Sequence, residues 1–120
     1  HPNITQLICC TKDRKACSIV MELMSTDLRK LMDKRMSDHQ VPFSMPIVVD
    51  IILQMARALK YMHGKGVAHL DIKPSNILAT PASVPELADL GYVDVKLVDF
   101  GESQPLSRLG SSTCRMHTAR

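Results

Sequence analysis

Between Val67 and Leu78 this chain keeps neither the 3.6-residue period of a helix nor the alternation of a strand, although regular segments stand on either side. The residues there are His69-Leu70-Asp71-Ile72-Lys73-Pro74-Ser75-Asn76. Asp71 and Asn76 stand five apart with Lys73 between them, and Pro74 keeps the stretch out of a helix interior. A loop can turn an anion, a cation and an amide toward one point, whereas a straight strand would send neighbours to opposite faces. Asp99-Phe100-Gly101 follows 23 residues after Asn76. It leaves a second carboxylate at the end of an apolar strand, with a glycine that permits a sharp exit.

The flanking elements are regular. Ser44 precedes the clearest helix, with Pro46 tolerated in its first turn, and Gly64 and Gly66 end it. Val48, Ile51, Ile52, Met55, Leu59 and Met62 form its apolar stripe, while Asp50, Gln54, Arg57 and Lys60 face elsewhere. Leu7–Cys10 and Ala16–Met24 read as an antiparallel hairpin across the charged break at 11–15. Ser25-Thr26-Asp27 offers N-caps for a short helix with Leu28, Leu31 and Met32 inside and Arg29, Lys30, Asp33 and Lys34 solvated. Thr80–Gly91 reads as a connection with one helical turn at Pro85–Ala88, and Val95–Val98 as the strand that delivers Asp99. The last twenty residues, poor in apolar pattern, read as a mobile loop. Together these elements predict an α+β fold.

Composition narrows the function classes. With 120 residues, 45% hydrophobic, the chain is too apolar for disorder and supports one domain at most. A net charge of +3, with two Tyr and two Phe, argues against nucleic acid as a partner. No apolar run approaches the roughly 18 residues of a membrane span, and no signal-peptide pattern opens the chain. Cys9, Cys10 and Cys17 sit in apolar segments and Cys114 in a polar tail, without a Cys-x-x-Cys pair. Reduced, mostly buried thiols are expected, which suits a cytoplasmic setting. His1, His39, His63 and His117 lack partner motifs and are expected at the surface.

Phosphoryl transfer from a nucleotide needs a carboxylate to orient the attacking hydroxyl, a cation near the transferred phosphate and oxygen ligands for magnesium. Asp71 suits the first role and Lys73 the second. Asn76 and Asp99, as hard oxygen donors, suit the metal.

These residues resemble the catalytic loop and the metal-binding motif of eukaryotic protein kinases. The flanks agree: Met21-Glu22-Leu23-Met24 is similar to the hinge that bonds adenine through its backbone, with Met21 in the gatekeeper place. Ser25–Met36 and Ser44–Gly64 resemble the helices that follow it, and His1-Pro2-Asn3-Ile4 the turn entering the fourth strand. The resemblance implies ATP and magnesium as cofactors, with an adenine site at Met21, Glu22, Met24 and Leu78. It implies a protein Ser or Thr hydroxyl as acceptor, because Lys73-Pro74-Ser75 is similar to the serine/threonine class. It also implies that the His69 ring packs with Phe100.

The resemblance has a departure. Leu70 stands where most members carry an Arg that pairs with a phosphate on the activation loop, so a phosphate on Ser107, Ser111, Ser112 or Thr113 would lack that anchor. Arg108 and Arg115 on the same loop are candidate substitutes. No Gly-rich loop or Val-Ala-Ile-Lys strand is present, and no Ala-Pro-Glu follows the activation loop. The expectation is a central piece of a bilobal kinase domain, 1–24 ending the small lobe and hinge and 25–120 opening the large lobe. Such a piece is expected to be inactive alone, with an open strand edge and a partly unpartnered helix stripe. A pseudokinase scaffold and a small-molecule phosphotransferase of related fold are the alternatives.

Overall fold

A computed structural model describes residues 1–13, 16–39 and 41–110. The hairpin forms as expected: β1 (Leu7–Lys12) pairs antiparallel with β2 (Cys17–Met21), with a register irregularity between Leu7 and Cys9. β3 (Thr26–Asp27) leads into helix α1 (Leu28–Ser37), whose N-cap is Asp27, its carboxylate accepting from the Lys30 N–H at 2.8 Å. Helix α2 (Met45–Gly64) begins after Ser44 with Pro46 in its first turn. Gly66, at φ +74°, turns the chain out of it into β4 (Val67–Ala68). A short 3₁₀ turn at Pro74–Asn76 precedes β5 (Ile77–Pro81), then α3 (Pro85–Asp89) and β6 (Val93–Leu97). β7 (Gln104–Pro105) and the one-turn α4 (Leu106–Leu109) complete the order.

Three small antiparallel sheets result: β1-β2, β3-β5-β6 and β4-β7. This is the expected α+β architecture. The core lies between α2 and the sheet β3-β5-β6, where Ile51, Met55, Ala58 and Met62 meet Ile77, Ala79, Val95 and Leu97. No helix among the described residues is long and apolar enough to cross a membrane.

The buried face of α2 is turned from the expected stripe. Ile47, Gln54 and Ala58 are buried, while Ile52 is 61% exposed. Gln54 was expected to face away from the core, and the reason for its burial is the open edge of β6. Its Nε2 donates to the Val93 carbonyl at 2.9 Å, and its Oε1 accepts from the Val95 N–H at 2.9 Å. Asn3 continues along the same edge, its side chain donating to Gln54 Oε1 and to the Val95 carbonyl, its backbone accepting from Leu97. An unpaired strand edge in the interior would cost desolvation at each group, so one amide side chain replaces a missing strand. Gln54→Leu leaves Val93 O and Val95 N unsatisfied and is expected to destabilise the chain by about 2–4 kcal/mol, read as a lowered urea midpoint. On the other flank, Val48, Ile52 and Leu59 join Leu28, Met32 and Phe43 along an open apolar groove of about 450 Å³.

The thiols are a second correction. Cys9, Cys10 and Cys17 are exposed, not buried, because β1 and β2 form a sheet only with each other and both faces stay open. Cys114 and His117 lie outside the described residues, while His1, His39 and His63 are exposed as expected. The expected loop after Asp99 contains structure as far as 110, because β7 pairs with β4 through Val67↔Pro105 and Ala68↔Gln104. The helical turn expected in the 80–91 connection is α3, and Gly91, at φ +86°, lets the chain return into β6.

Candidate active site

The loop between β4 and β5 converges on one carboxylate. Asp71 Oδ2 accepts from Lys73 Nζ at 2.7 Å and from Asn76 Nδ2 at 2.8 Å. The same Asn76 nitrogen donates to the Asp71 carbonyl at 2.9 Å, so Asn76, only 6% exposed, fixes both ends of Asp71. The irregular stretch is therefore a built loop: the 3₁₀ turn brings Asn76 back over Asp71, and Lys73 projects beside it.

His69 joins this loop to the strand that ends at Asp99. Its ring is 1% exposed, with Nδ1 accepting from the Asp71 N–H at 3.3 Å and Nε2 donating to the Val98 carbonyl at 3.1 Å. Those partners assign the proton to Nε2. The Asn76 carbonyl accepts from the Val98 N–H at 3.0 Å, so two bonds hold Val98, and hence Asp99, against the loop. The His69 ring also meets Phe100 edge-on with centroids 5.2 Å apart, the expected packing.

Asp99 adopts φ +63°, a left-handed conformation that Asp tolerates better than most residues. Its Oδ1 accepts from the Gly101 N–H at 3.3 Å, and a Cβ at position 101 would sit 3.2 Å from that oxygen. A side chain there would press on the carboxylate oxygen, which would have to give by a few tenths of an ångström. Leu70 is also left-handed, at φ +65°, and 51% exposed. A bulky residue in that region is strained, and such strain concentrates at functional loops. Of the residues named around the activation loop, Ser107 and Arg108 lie in α4, whereas Ser111, Ser112, Thr113 and Arg115 fall outside the described residues.

The electrostatics follow the geometry. The Lys73 ammonium, and after it the Asn76 amide, hold the Asp71 carboxyl below the usual carboxylate range despite some desolvation. Lys73 is correspondingly raised, first by its bond to Asp71, with smaller attractions from Asp99 and Glu102. Asp71 is therefore an anion at neutral pH, suited to hold and orient a hydroxyl. In a reaction that needs the Asp71 anion, rate falls as pH drops through its pKa. Lys73→Met removes the largest lowering influence, so the acid limb of the pH–rate profile is expected to move to higher pH.

The donors also fit a magnesium ion. Asn76 spends its amide nitrogen on Asp71, leaving its amide oxygen for a hard cation, and the exposed Asp99 follows Val98, whose N–H bonds the Asn76 carbonyl. No group of three His, Cys, Asp or Glu that could hold a metal occurs among the described residues.

The expected adenine residues lie at the exit of the hairpin and on the sheet. Met21 ends β2 and is 42% exposed, Glu22 and Met24 are half-buried, and Leu78 is half-buried in β5, opposite Asp27 and Lys96. Neither Met21 nor Leu78 belongs to the core, although periodicity alone would place both there. The sequence reading missed Lys96, whose Nζ bonds Glu22 Oε2 at 2.6 Å. Strand alternation puts Lys96 on the face of Leu78, but nothing in the sequence pairs it with a residue 74 positions away.

The chain is similar to known protein kinases. The chain is 47% identical over 108 residues to a light-sensor protein kinase of Ceratodon purpureus, covering 87% of this chain and 8% of that one. It is 34% identical to serine/threonine-protein kinase ppk23 of Schizosaccharomyces pombe, covering 97% of this chain and 26% of that one. Cyclin-dependent kinase 4 of Ovis aries is 35% identical over 102 residues, covering 79% of this chain and 32% of that one. The chain thus spans a third or less of the length of each of these relatives. The protein kinase domain family matches residues 1–119, nearly the whole sequence, and the chain belongs to that family.

Proposed function

We propose that these residues carry the catalytic loop, metal ligands and adenine contacts of an ATP- and magnesium-dependent protein serine/threonine kinase. The observation that carries the reading is the convergence of Lys73 and Asn76 on one Asp71 oxygen, in a loop that His69 and Asn76 bond to Val98. Phosphoryl transfer demands positioned charge more than covalent chemistry from the protein, and this loop supplies it.

In that reading Asp71 orients the acceptor hydroxyl and takes its proton as the oxygen bonds to the γ-phosphorus and the bond to the ADP oxygen breaks. Lys73, already beside Asp71, offsets negative charge on the transferred group. Asn76 and Asp99 hold magnesium, which supplies charge neutralisation at the phosphates. Met21, Glu22 and Met24 would present hinge backbone to adenine, and Leu78 would line its pocket. The serine/threonine preference rests on Lys73-Pro74-Ser75 and on the naming of relatives such as ppk23 as serine/threonine kinases.

The test gives a completed enzyme that carries residues 1–120 γ-labelled ATP with a mixed protein acceptor and, separately, with small hydroxyl compounds. Label is expected on protein, recovered after hydrolysis as phosphoserine and phosphothreonine. Label confined to small hydroxyl compounds, or recovered as phosphotyrosine, contradicts the substrate assignment.

A further inference from the structure

The Glu22 side chain has a use separate from its backbone. Its Oε1 accepts from the Gln6 N–H at 2.7 Å and its Oε2 from Lys96 Nζ at 2.6 Å. The Glu22 N–H returns a bond to the Gln6 carbonyl at 3.1 Å. Three segments therefore meet at one residue: the entry to β1, the exit from β2, and β6 three positions before Asp99.

The placement of Lys96 gives this junction its meaning. Lys96 stands opposite Leu78 in the β5–β6 ladder, so the two share a sheet face. Their neighbours Ile77, Ala79, Val95 and Leu97 fill the other face, against α2. The β1-β2 hairpin shares no strand ladder with that sheet. Backbone bonds of Asn3 and Thr5 with Leu97 tie the entry to β1 to β6, and the short Glu22–Lys96 ion pair ties the exit from β2 to the same strand. The two side chains are 25% and 23% exposed, against 66% and 54% for the surface pair Arg29–Asp33. Water and salt screen such a sheltered pair less. The bond from Lys96, and after it the Gln6 N–H, holds the Glu22 carboxyl below its usual range.

We propose that Glu22 and Lys96 are a positioning pair that holds the hinge backbone at a set distance from Leu78 and thereby sets nucleotide affinity. This rests on the reading of 21–24 as the nucleotide hinge. The pair acts on the adenine end of the ligand, whereas Asp99 and Asn76 act on the phosphate end. Adenosine, which has no phosphates, separates the two.

The experiment measures adenosine and magnesium–ATP binding by calorimetry in a completed enzyme that carries residues 1–120, with thermal melts to select a temperature at which every variant is folded. Lys96→Met and Glu22→Gln are expected to weaken both ligands by the same factor, about tenfold, as loss of one bond to a charged group would. Lys96→Met should raise KM for ATP more than it lowers kcat. Lys96→Arg, which can still pair, should stay within about threefold of wild type. Adenosine affinity left unchanged by Lys96→Met overturns the positioning pair alone. A wild-type chain that binds no adenosine overturns the hinge reading, and the proposal with it.

Discussion

Asp71→Asn in a completed enzyme that carries residues 1–120 is expected to lower kcat by about 10²–10⁴-fold, roughly 3–5 kcal/mol of barrier, while nucleotide affinity survives. The amide keeps the shape of the carboxylate but cannot take the hydroxyl proton. Asn76 can still donate to the side-chain oxygen at position 71, so the loop has reason to keep its form. Lys73, however, loses the anion that it pairs with at 2.7 Å. A substitution that preserves packing and removes one charge thus isolates the chemical step. Steady-state kinetics at saturating ATP check it, and wild-type turnover in this variant would remove Asp71 from the mechanism.

Asp99→Ala is expected to abolish turnover by a different route, because it removes the only charged ligand assigned to the metal. Nucleotide affinity should then lose its dependence on magnesium, measured by titrating the metal at fixed ATP. Identical magnesium curves for wild type and Asp99→Ala would end the metal assignment. Asn76→Ala is a less selective probe than its neutral charge suggests. Asn76 is buried and holds Asp71 through two bonds, so its loss should disturb the base as well as the metal.

The parts of this molecule that were legible in the sequence are those where one residue type does a local job. Asp27, one of three candidate caps, caps α1, Pro46 lies in the first turn of α2, and Gly66 turns left-handed where that helix ends. The loop from His69 to Asn76 stood out because it broke both periodicities while concentrating charged and amide groups. What stayed illegible depends on partners far along the chain. Gln54 looks like an outward-facing helix residue until the open edge of β6 is known, and then it is the group that completes that edge. Cys9, Cys10 and Cys17 look like core thiols because apolar strands usually have a buried face, yet this hairpin has none among the described residues. The ion pair of Glu22 with Lys96 spans 74 positions, and a hydrophobicity pattern carries no record of which charges will meet.

Leu70 shows the same limit from the other side. Its identity implied a lost phosphate anchor, but its left-handed backbone and half-exposed side chain could not be read from the residue. The backbone turn at this position comes from the bonds around it, with His69 tied to Val98 and Asp71 tied to His69. A leucine accepts that conformation because the loop imposes it.

The most direct measurement of the central claim is transfer of labelled γ-phosphate from ATP to a protein acceptor by a completed enzyme that carries residues 1–120, wild type against Asp71→Asn, with and without magnesium. The account predicts magnesium-dependent label on protein serine and threonine in the wild type, reduced at least a hundredfold in Asp71→Asn. Equal labelling by the two proteins, or labelling that ignores magnesium, would contradict it.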